Sequence, residues 1–258
     1  MLIDTHAHLD GFEDIIQVIQ RAGDIGVEKI VAVSSDLTSS EKTVEIASTF
    51  PTIFAAVGIH PHEASKFTDK SSSEIEKLAR GKKVVAIGET GLDYHYMNSP
   101  REVQIHSFRE HIRLAKRLHI PVVVHVREAY DEVYQMLKGE GAEKGVIHCF
   151  TGGYETANKY IDLGFHVSFS GMVTFKNAED IRGAAKNIPI ETMLVETDSP
   201  YLAPIPFRGK KNEPAYVKYV AEKIAEVRGV SFEEIAEKTT ANAVKLFKLD
   251  QPEQLGSK

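Results

Sequence analysis

The chain has 258 residues, 42% hydrophobic, 26% charged and 8% aromatic, with a formal net charge of −6. That balance excludes a disordered tail or a fibrous repeat, and argues against a broad coat of nucleic acid or anionic lipid, while leaving room for a local positive site. The lone Cys149 leaves no intramolecular disulfide and fits a reducing compartment. The opening MLIDTHAHLD lacks the basic start and apolar length of a signal peptide, and no apolar run reaches the ~18–20 residues of a membrane span. A cytoplasmic globular protein with no membrane association is therefore expected.

Taken in chain order, strand-like runs alternate with amphipathic ones. Leu2–His6 reads as a strand, and Phe12–Ala22 as a helix with Ile15, Ile16, Val18 and Ile19 on one side. Glu28–Ser34, Ile53–Ile59 and Val84–Gly88 read as the next strands. Pro100 suits the first turn of a helix over Val103–Leu118, where Ile105, Phe108, Ile112 and Ala115 recur at helical spacing. The strands Ile120–Val126, Gly145–Phe150, His166–Ser170 and Met193–Thr197 follow, with Gly164 suiting a helix stop after Tyr160–Leu163. Glu213–Val227 and Phe232–Phe247 read as two closing helices, and Gln251–Lys258 as a frayed end.

Most of the strands are apolar on both faces, as parallel strands covered by helices are. The alternation leaves a doubly wound open sheet or a closed barrel. Neither G-x-G-x-x-G nor G-x-x-x-x-G-K-[ST] occurs, so the open nucleotide-binding sheet loses its signature. The expected fold is a single α/β domain, a (β/α)8 TIM barrel over residues 1–250 with a tail over 251–258, and no linker divides it.

The titratable residues fall where a barrel gathers its chemistry. His6 and His8 close the first strand, and Glu89 follows the fourth. His125 ends the fifth, His148 the sixth and Asp198 the eighth. Alternation points His6 and His8 along the axis together and turns Cys149 away from His148, into the helix layer. A single strand-end histidine is ordinarily a satisfied polar residue, and H-x-H alone is a weak signal. Six such groups in one dry mouth need neutralisation, which a cation supplies. Six ligands exceed one tetrahedral site and suit two divalent ions sharing a carboxylate. Glu89 is the natural bridge, with His6, His8 and Asp198 on one ion and His125 with His148 on the other. Imidazole-rich ligation favours Zn²⁺, Mn²⁺, Co²⁺ or Ni²⁺ ahead of Mg²⁺.

These features resemble the TatD family of metal-dependent deoxyribonucleases, within the amidohydrolase-like barrels. The matching motifs are IDTHAHLD at 3–10, AVGIHPHEA at 56–64, AIGETGLDYH at 86–95 and VVVHVREA at 122–129. VIHCFTGG at 146–153, SFSG at 168–171, LVETDSPYLAP at 194–204 and PFRGKKNEP at 206–214 complete the set, which spans nearly the whole chain. Related amidohydrolases commonly bridge their metals with a carboxylated lysine. Lys82 and Lys83 sit at the wrong end of the fourth strand for that, and Glu89 holds the mouth, as in the family's own pattern. The resemblance implies the same six metal ligands. It also implies hydrolysis of DNA phosphodiesters, exonucleolytic on single strands or 3′ ends and linked to repair.

Asp198 reads either as a general base toward the attacking water or as a ligand alone. Glu196 reads either as the residue that orients a ligand histidine or as an inward partner of Asp4 or water. Two divalent ions outweigh the charges of Glu89 and Asp198, even with a hydroxide between them, so the pocket suits a phosphate ester better than a neutral amide. Arg127 and Arg208 suit phosphate oxygens, and His60 with His62 could add donors. Lys210 and Lys211 read rather as a solvated loop, and Tyr201 as either a base platform or a buried ring. Without a long basic stripe, sequence-specific DNA binding is not expected, and no obligate protein partner is evident. The rival readings are an amide, lactone or phosphotriester hydrolase on the same metals, and a non-catalytic metal-binding protein.

Overall fold

The computed structural model describes residues 1–250, so the expected frayed end at 251–258 lies outside the described residues. Strands and helices alternate as β1 (Leu2–Ala7), α1 (Ile15–Asp24), β2 (Val27–Val33), α2 (Leu37–Thr49), β3 (Ile53–Val57), α3 (Asp69–Ala79), β4 (Val84–Asp93) and α4 (Arg101–Leu118). The second half runs β5 (Val122–Arg127), α5 (Tyr130–Gly139), β6 (Gly145–Ile147), α6 (Tyr154–Ile161), β7 (Phe165–Phe169), α7 (Glu179–Asn187), β8 (Met193–Val195), α8 (Val217–Arg228) and α9 (Phe232–Phe247). Each strand is parallel to the next in sequence order. Past β8, the Asp198 N–H donates to the His6 carbonyl at 2.9 Å and Ser199 pairs with Ala7, leaving the barrel nearly closed. This is the expected TIM-type barrel.

Local chemistry sets where the helices begin. Asp14 accepts from the Gln17 N–H at 3.0 Å, so α1 starts at Ile15 rather than at Phe12. Asp36 with Ser39, and Thr68 with Ser71, form reciprocal caps on α2 and α3. Pro100 stands just ahead of α4, in the cap position, rather than inside its first turn. A short 3-10 turn over Pro214–Tyr216 precedes α8, which therefore starts at Val217.

Alternate strand residues divide between two apolar layers. Ile30 and Ala32 join the larger cluster with the helices, whereas Val31 and Val33 join Ile3, Ala56, Ala86, Val123, Val146 and Leu194. The second cluster includes Ala243, Leu246 and Phe247 of α9, and Leu249 just beyond it, so α9 plugs one end of the barrel. Among the described residues, no helix is long and apolar enough to cross a membrane.

One strand departs from expectation in a way that matters for the site. β4 does not stop at Gly88 but continues through Glu89 to Asp93, entirely buried. Its pairing with β5 shifts between Ile87 and Thr90, the signature of a bulge, which re-aims the residues it contains. Two glycines permit this. Gly88 has φ +147° and a Cβ there would meet the Val123 carbonyl oxygen at 2.6 Å; at Gly91, with φ +143°, it would collide with that of His125.

Candidate metal centre

Glu89, carried inward by the β4 bulge, lies at the centre of the barrel mouth. Its Oε2 faces His6 Nε2 at 3.2 Å and His8 Nε2 at 3.5 Å; its Oε1 faces His148 Nε2 at 2.6 Å and His125 Nδ1 at 3.0 Å. Asp198 Oδ1 lies 3.8 Å from His6 Nε2 and 3.6 Å from His8 Nε2. The structure thus brings together all six residues singled out as ligands. β6 ends at Ile147 and β8 at Val195, so His148 and Asp198 reach the mouth from the loops just past their strands.

Hydrogen bonds on the far side of the His8, His125 and His148 rings fix where the proton of each sits. His8 Nδ1 faces the Val33 carbonyl oxygen at 3.1 Å and must donate to it. His148 Nδ1 faces Glu196 Oε1 at 3.3 Å, and His125 Nε2 faces Asp93 Oδ2 at 3.0 Å. In a neutral ring each of these bonds leaves the inward nitrogen as a lone pair, and those lone pairs face carboxylate oxygens. Acceptor against acceptor is repulsive unless a cation or a proton lies between them. The donor set, imidazole nitrogens with carboxylates, fits a divalent transition metal. His6 Nδ1 is buried with no hydrogen-bond partner among the described residues.

Among the described residues, ligand atoms lie within 4.8 Å of one another in His6, His8 and Asp198, in His6, Glu89 and His148, and in His60, Glu89 and His125. The first is the expected grouping. The expected pairing of His125 with His148 also keeps its geometry, with His125 Nδ1 and His148 Nε2 3.4 Å apart and both facing Glu89 Oε1. His60 differs from the other rings, because its Nδ1 accepts the His62 backbone N–H at 3.1 Å. Its Nε2 therefore carries the hydrogen in the neutral ring, and burial lowers its pKa to about 4. His60 Nε2 thus offers a donor to the mouth, 3.4 Å from Glu89 Oε1, rather than a lone pair.

The charges are strongly coupled. Burial alone would raise Glu89, but His148, His60 and His6 with the His125 hydrogen bond hold it well below the usual carboxylate range. Burial likewise opposes ionisation of Asp198, yet the His8 hydrogen bond and the neighbouring imidazoles pull it down. Burial would lower His148, but Glu89 and Glu196 raise it well above an ordinary histidine. Of the two central carboxylates, Asp198 is the one open to solvent, with 13% of its side chain exposed against 3% for Glu89.

The structure separates the readings left open for several residues and places Cys149 differently from expectation. Glu196 does not pair with Asp4: its Oε1 accepts the Cys149 N–H at 2.6 Å beside His148 Nδ1. Asp4 instead accepts from the N–H and hydroxyl of Thr197, and burial raises it to about 8. Cys149 does not enter the helix layer. With β6 ended, it adopts φ +43° and its thiol lies 3.1 Å from Ser170 Oγ, on the loop past β7. Burial, with Asp198 and Glu196 nearby, keeps it a thiol. Lys83 reaches the Phe50 and Pro51 carbonyls at 2.8 Å each, far from any bridging role. Tyr201 is not buried.

Two residues were missed in the sequence. Asp93 is fully buried and its Oδ2 accepts from both His125 and His62 at 3.0 Å. It was visible in GETGLDYH, but only if the strand is extended past Glu89. His111 of α4 accepts the Ile59 N–H at 3.1 Å and donates to the Ser107 carbonyl at 2.7 Å, fixing the loop that carries His60. Nothing in a helical periodicity marks it.

A barrel whose mouth holds imidazoles and carboxylates in this way has the donor set of a metal-dependent hydrolase. The sequence profile described as "TatD related DNase" matches residues 3–248, and the chain belongs to that family. An uncharacterized metal-dependent hydrolase of Bacillus subtilis, YabD, is 47% identical over 97% of this chain and 100% of its own length. YcfH of Escherichia coli K12, also named an uncharacterized metal-dependent hydrolase, is 42% identical over 96% of each chain. The crystal structure of YjjV, a TatD homologue of Escherichia coli K12, superposes with a TM-score of 0.91 at 31% identity, over 96% of this chain and 98% of that one.

Proposed function

We propose that this hydrolase cleaves phosphodiester bonds of DNA, exonucleolytically on single strands or 3′ ends and without sequence-specific binding, in the cytoplasm. Two divalent ions, Zn²⁺, Mn²⁺, Co²⁺ or Ni²⁺ ahead of Mg²⁺, would be held by His6, His8, Glu89, His125, His148 and Asp198, with Glu89 facing both. When bound they supply Lewis-acid polarisation of a phosphoryl oxygen and activation of a water at neutral pH.

The chain's own residues divide the remaining work. Asp198, ionised and partly open to solvent, accepts the proton of the attacking water. His60 presents Nε2–H as a donor to a non-bridging phosphoryl oxygen. Glu196 and Asp93 hold His148 and His125 in the tautomers that face inward.

The observation that carries a phosphate ester over a neutral substrate concerns the arginines. Among the described residues every other arginine side chain binds a carboxylate or a backbone carbonyl. Arg127, at the end of β5, and Arg208, on the loop past β8, bind neither, and rest instead on the rings of Tyr96 and Phe175. Guanidinium donors left free at the mouth suit phosphate oxygens. Lys211 is engaged by the Gly11 carbonyl at 3.0 Å, and Lys210 lies over Phe207 on the exposed loop.

The test is to incubate the metal-loaded protein with labelled single-stranded oligonucleotide and with a panel of lactones, cyclic amides and phosphotriesters. Release of nucleotides supports the reading, and turnover confined to the panel rejects it. No turnover with any ion favours a metal-binding protein without catalysis.

A further inference from the structure

Two tyrosine rings stand exposed on opposite walls of the mouth, Tyr96 with His95 edge-on to it at 4.8 Å. Tyr96, on the loop past β4, is 54% exposed. Its ring lies edge-on to His62 at 5.4 Å, and the Arg127 guanidinium covers it at 4.5 Å. Asp93 fixes this loop, accepting the Tyr96 N–H at 2.9 Å and the His95 N–H at 3.1 Å on Oδ1. Through Oδ2 the same carboxylate orients His125, so the platform and a candidate ligand share one anchor.

Tyr201, on the loop past β8, is 61% exposed and lies edge-on to His8 at 5.9 Å. Its backbone is fixed on both sides: its N–H donates to the Asp198 carbonyl at 3.0 Å, and its own carbonyl accepts from Asn212 Nδ2 at 2.6 Å. Two anchored rings held open to water, one beside each side of the centre, leave π-faces available to a ligand.

We infer that Tyr96 and Tyr201 are base-stacking platforms, so that a single strand crosses the mouth with bases on either side of the scissile phosphate. The inference rests on the phosphodiester reading and names the residues that would hold the strand's bases. Every nucleobase has a face to offer an aromatic ring, so such platforms grip a strand without reading its sequence. Bases inside a duplex are already stacked on their neighbours and cannot use both platforms without melting. Arg127, stacked on Tyr96, keeps its N–H donors free for the adjoining phosphate.

The experiment compares the metal-loaded full-length protein with Tyr96→Ala, Tyr201→Ala, the double variant and the two Tyr→Phe variants. Two substrates are used: a labelled single-stranded DNA oligonucleotide, and the same strand with abasic sites in its last two positions. The wild-type protein is expected to show a KM lower by ~5- to 100-fold for the base-bearing strand, the range that stacking of one base supplies. Each alanine variant should lose most of that preference and each phenylalanine variant should keep it. A 2-aminopurine placed near the 3′ end should be quenched on binding to the wild-type protein, and less so by Tyr96→Ala or Tyr201→Ala. A wild-type protein that cleaves both strands with equal KM, or alanine variants that retain the preference, overturns the platforms and leaves the nuclease reading standing. Failure of the wild-type protein to cleave either strand overturns the nuclease reading itself.

Discussion

At one end of the barrel, α9 presses Ala243, Leu246 and Phe247 against an inner layer of Ile3, Val31, Val123 and Leu194. At the other end Glu89, His6 and His148 are just as buried but titratable, with both imidazoles within 2.6–3.2 Å of the Glu89 carboxylate. The first end gains stability from apolar area removed from water, at about 25 cal/mol per Å². The second loses it, because buried ionisable groups are costly unless something of opposite charge completes them. A plugged end can hold the strands in register while the open end stays chemically incomplete without a ligand. This arrangement predicts that the two ends fail differently.

The largest effect is expected at Glu89. Glu89→Gln removes the charge that faces both sides of the centre, and breaking such a buried set costs about 3–5 kcal/mol. Hydrolysis should fall ~10³-fold or more, and the thermal stabilisation that Zn²⁺ or Mn²⁺ gives the wild-type protein should vanish. A melting curve of the variant that still rises with metal would show that Glu89 is not a ligand. Phe247→Ala should act at the opposite end. Emptying that plug costs about 3–5 kcal/mol of global stability, read as a lower denaturation midpoint. The folded fraction should still bind metal with wild-type affinity; a parallel loss of affinity would mean that the two ends are coupled.

The same contrast explains what the sequence discloses. Apolar runs mark the strands that pack against helices, so β2, β3 and β7 were legible within a residue or two. H-x-H and the strand-end histidines were legible because a parallel barrel sends all its strand ends to one mouth. What failed to show was polar burial. Glu89, Thr90 and Asp93 end an apolar run by their chemistry while the backbone continues as strand, so the apolar pattern of β4 ends at Gly88. Cys149 was misplaced because strict alternation was carried past the true end of β6. His111 looks like any polar helix residue until the Ile59 N–H is seen pointing at it.

His111 offers the next test. It is buried and neutral, accepting at Nε2 and donating at Nδ1, and burial lowers its pKa from 6.5 to about 4. A histidine with a lowered folded pKa contributes stability that is fully present above 6.5 and is lost as pH falls toward 4. The shift corresponds to roughly 3 kcal/mol at full protonation. Denaturant titrations between those limits should therefore give a shallower loss of stability for His111→Gln than for the wild-type protein. Equal slopes would remove His111 as the source. Because His111 holds the loop carrying His60, the mouth should loosen before the plugged end does, and hydrogen exchange at Ile59 reads that order directly.

A smaller effect is expected at Glu196, where the two roles of one oxygen can be separated. Glu196 Oε1 accepts the Cys149 N–H at 2.6 Å and faces His148 Nδ1 at 3.3 Å. Glu196→Ala would strand both donors and confound positioning with folding. Glu196→Gln keeps an acceptor for the Cys149 N–H but removes the charge that makes His148 more basic. Such a change behind a metal-bound histidine weakens affinity by ~10–100-fold. Calorimetric titration with Zn²⁺ or Mn²⁺ should show that loss, while the denaturation midpoint of the metal-free protein moves little. An unchanged affinity would reduce Glu196 to an anchor for the Cys149 backbone, and the tautomer of His148 would then be set by the metal alone.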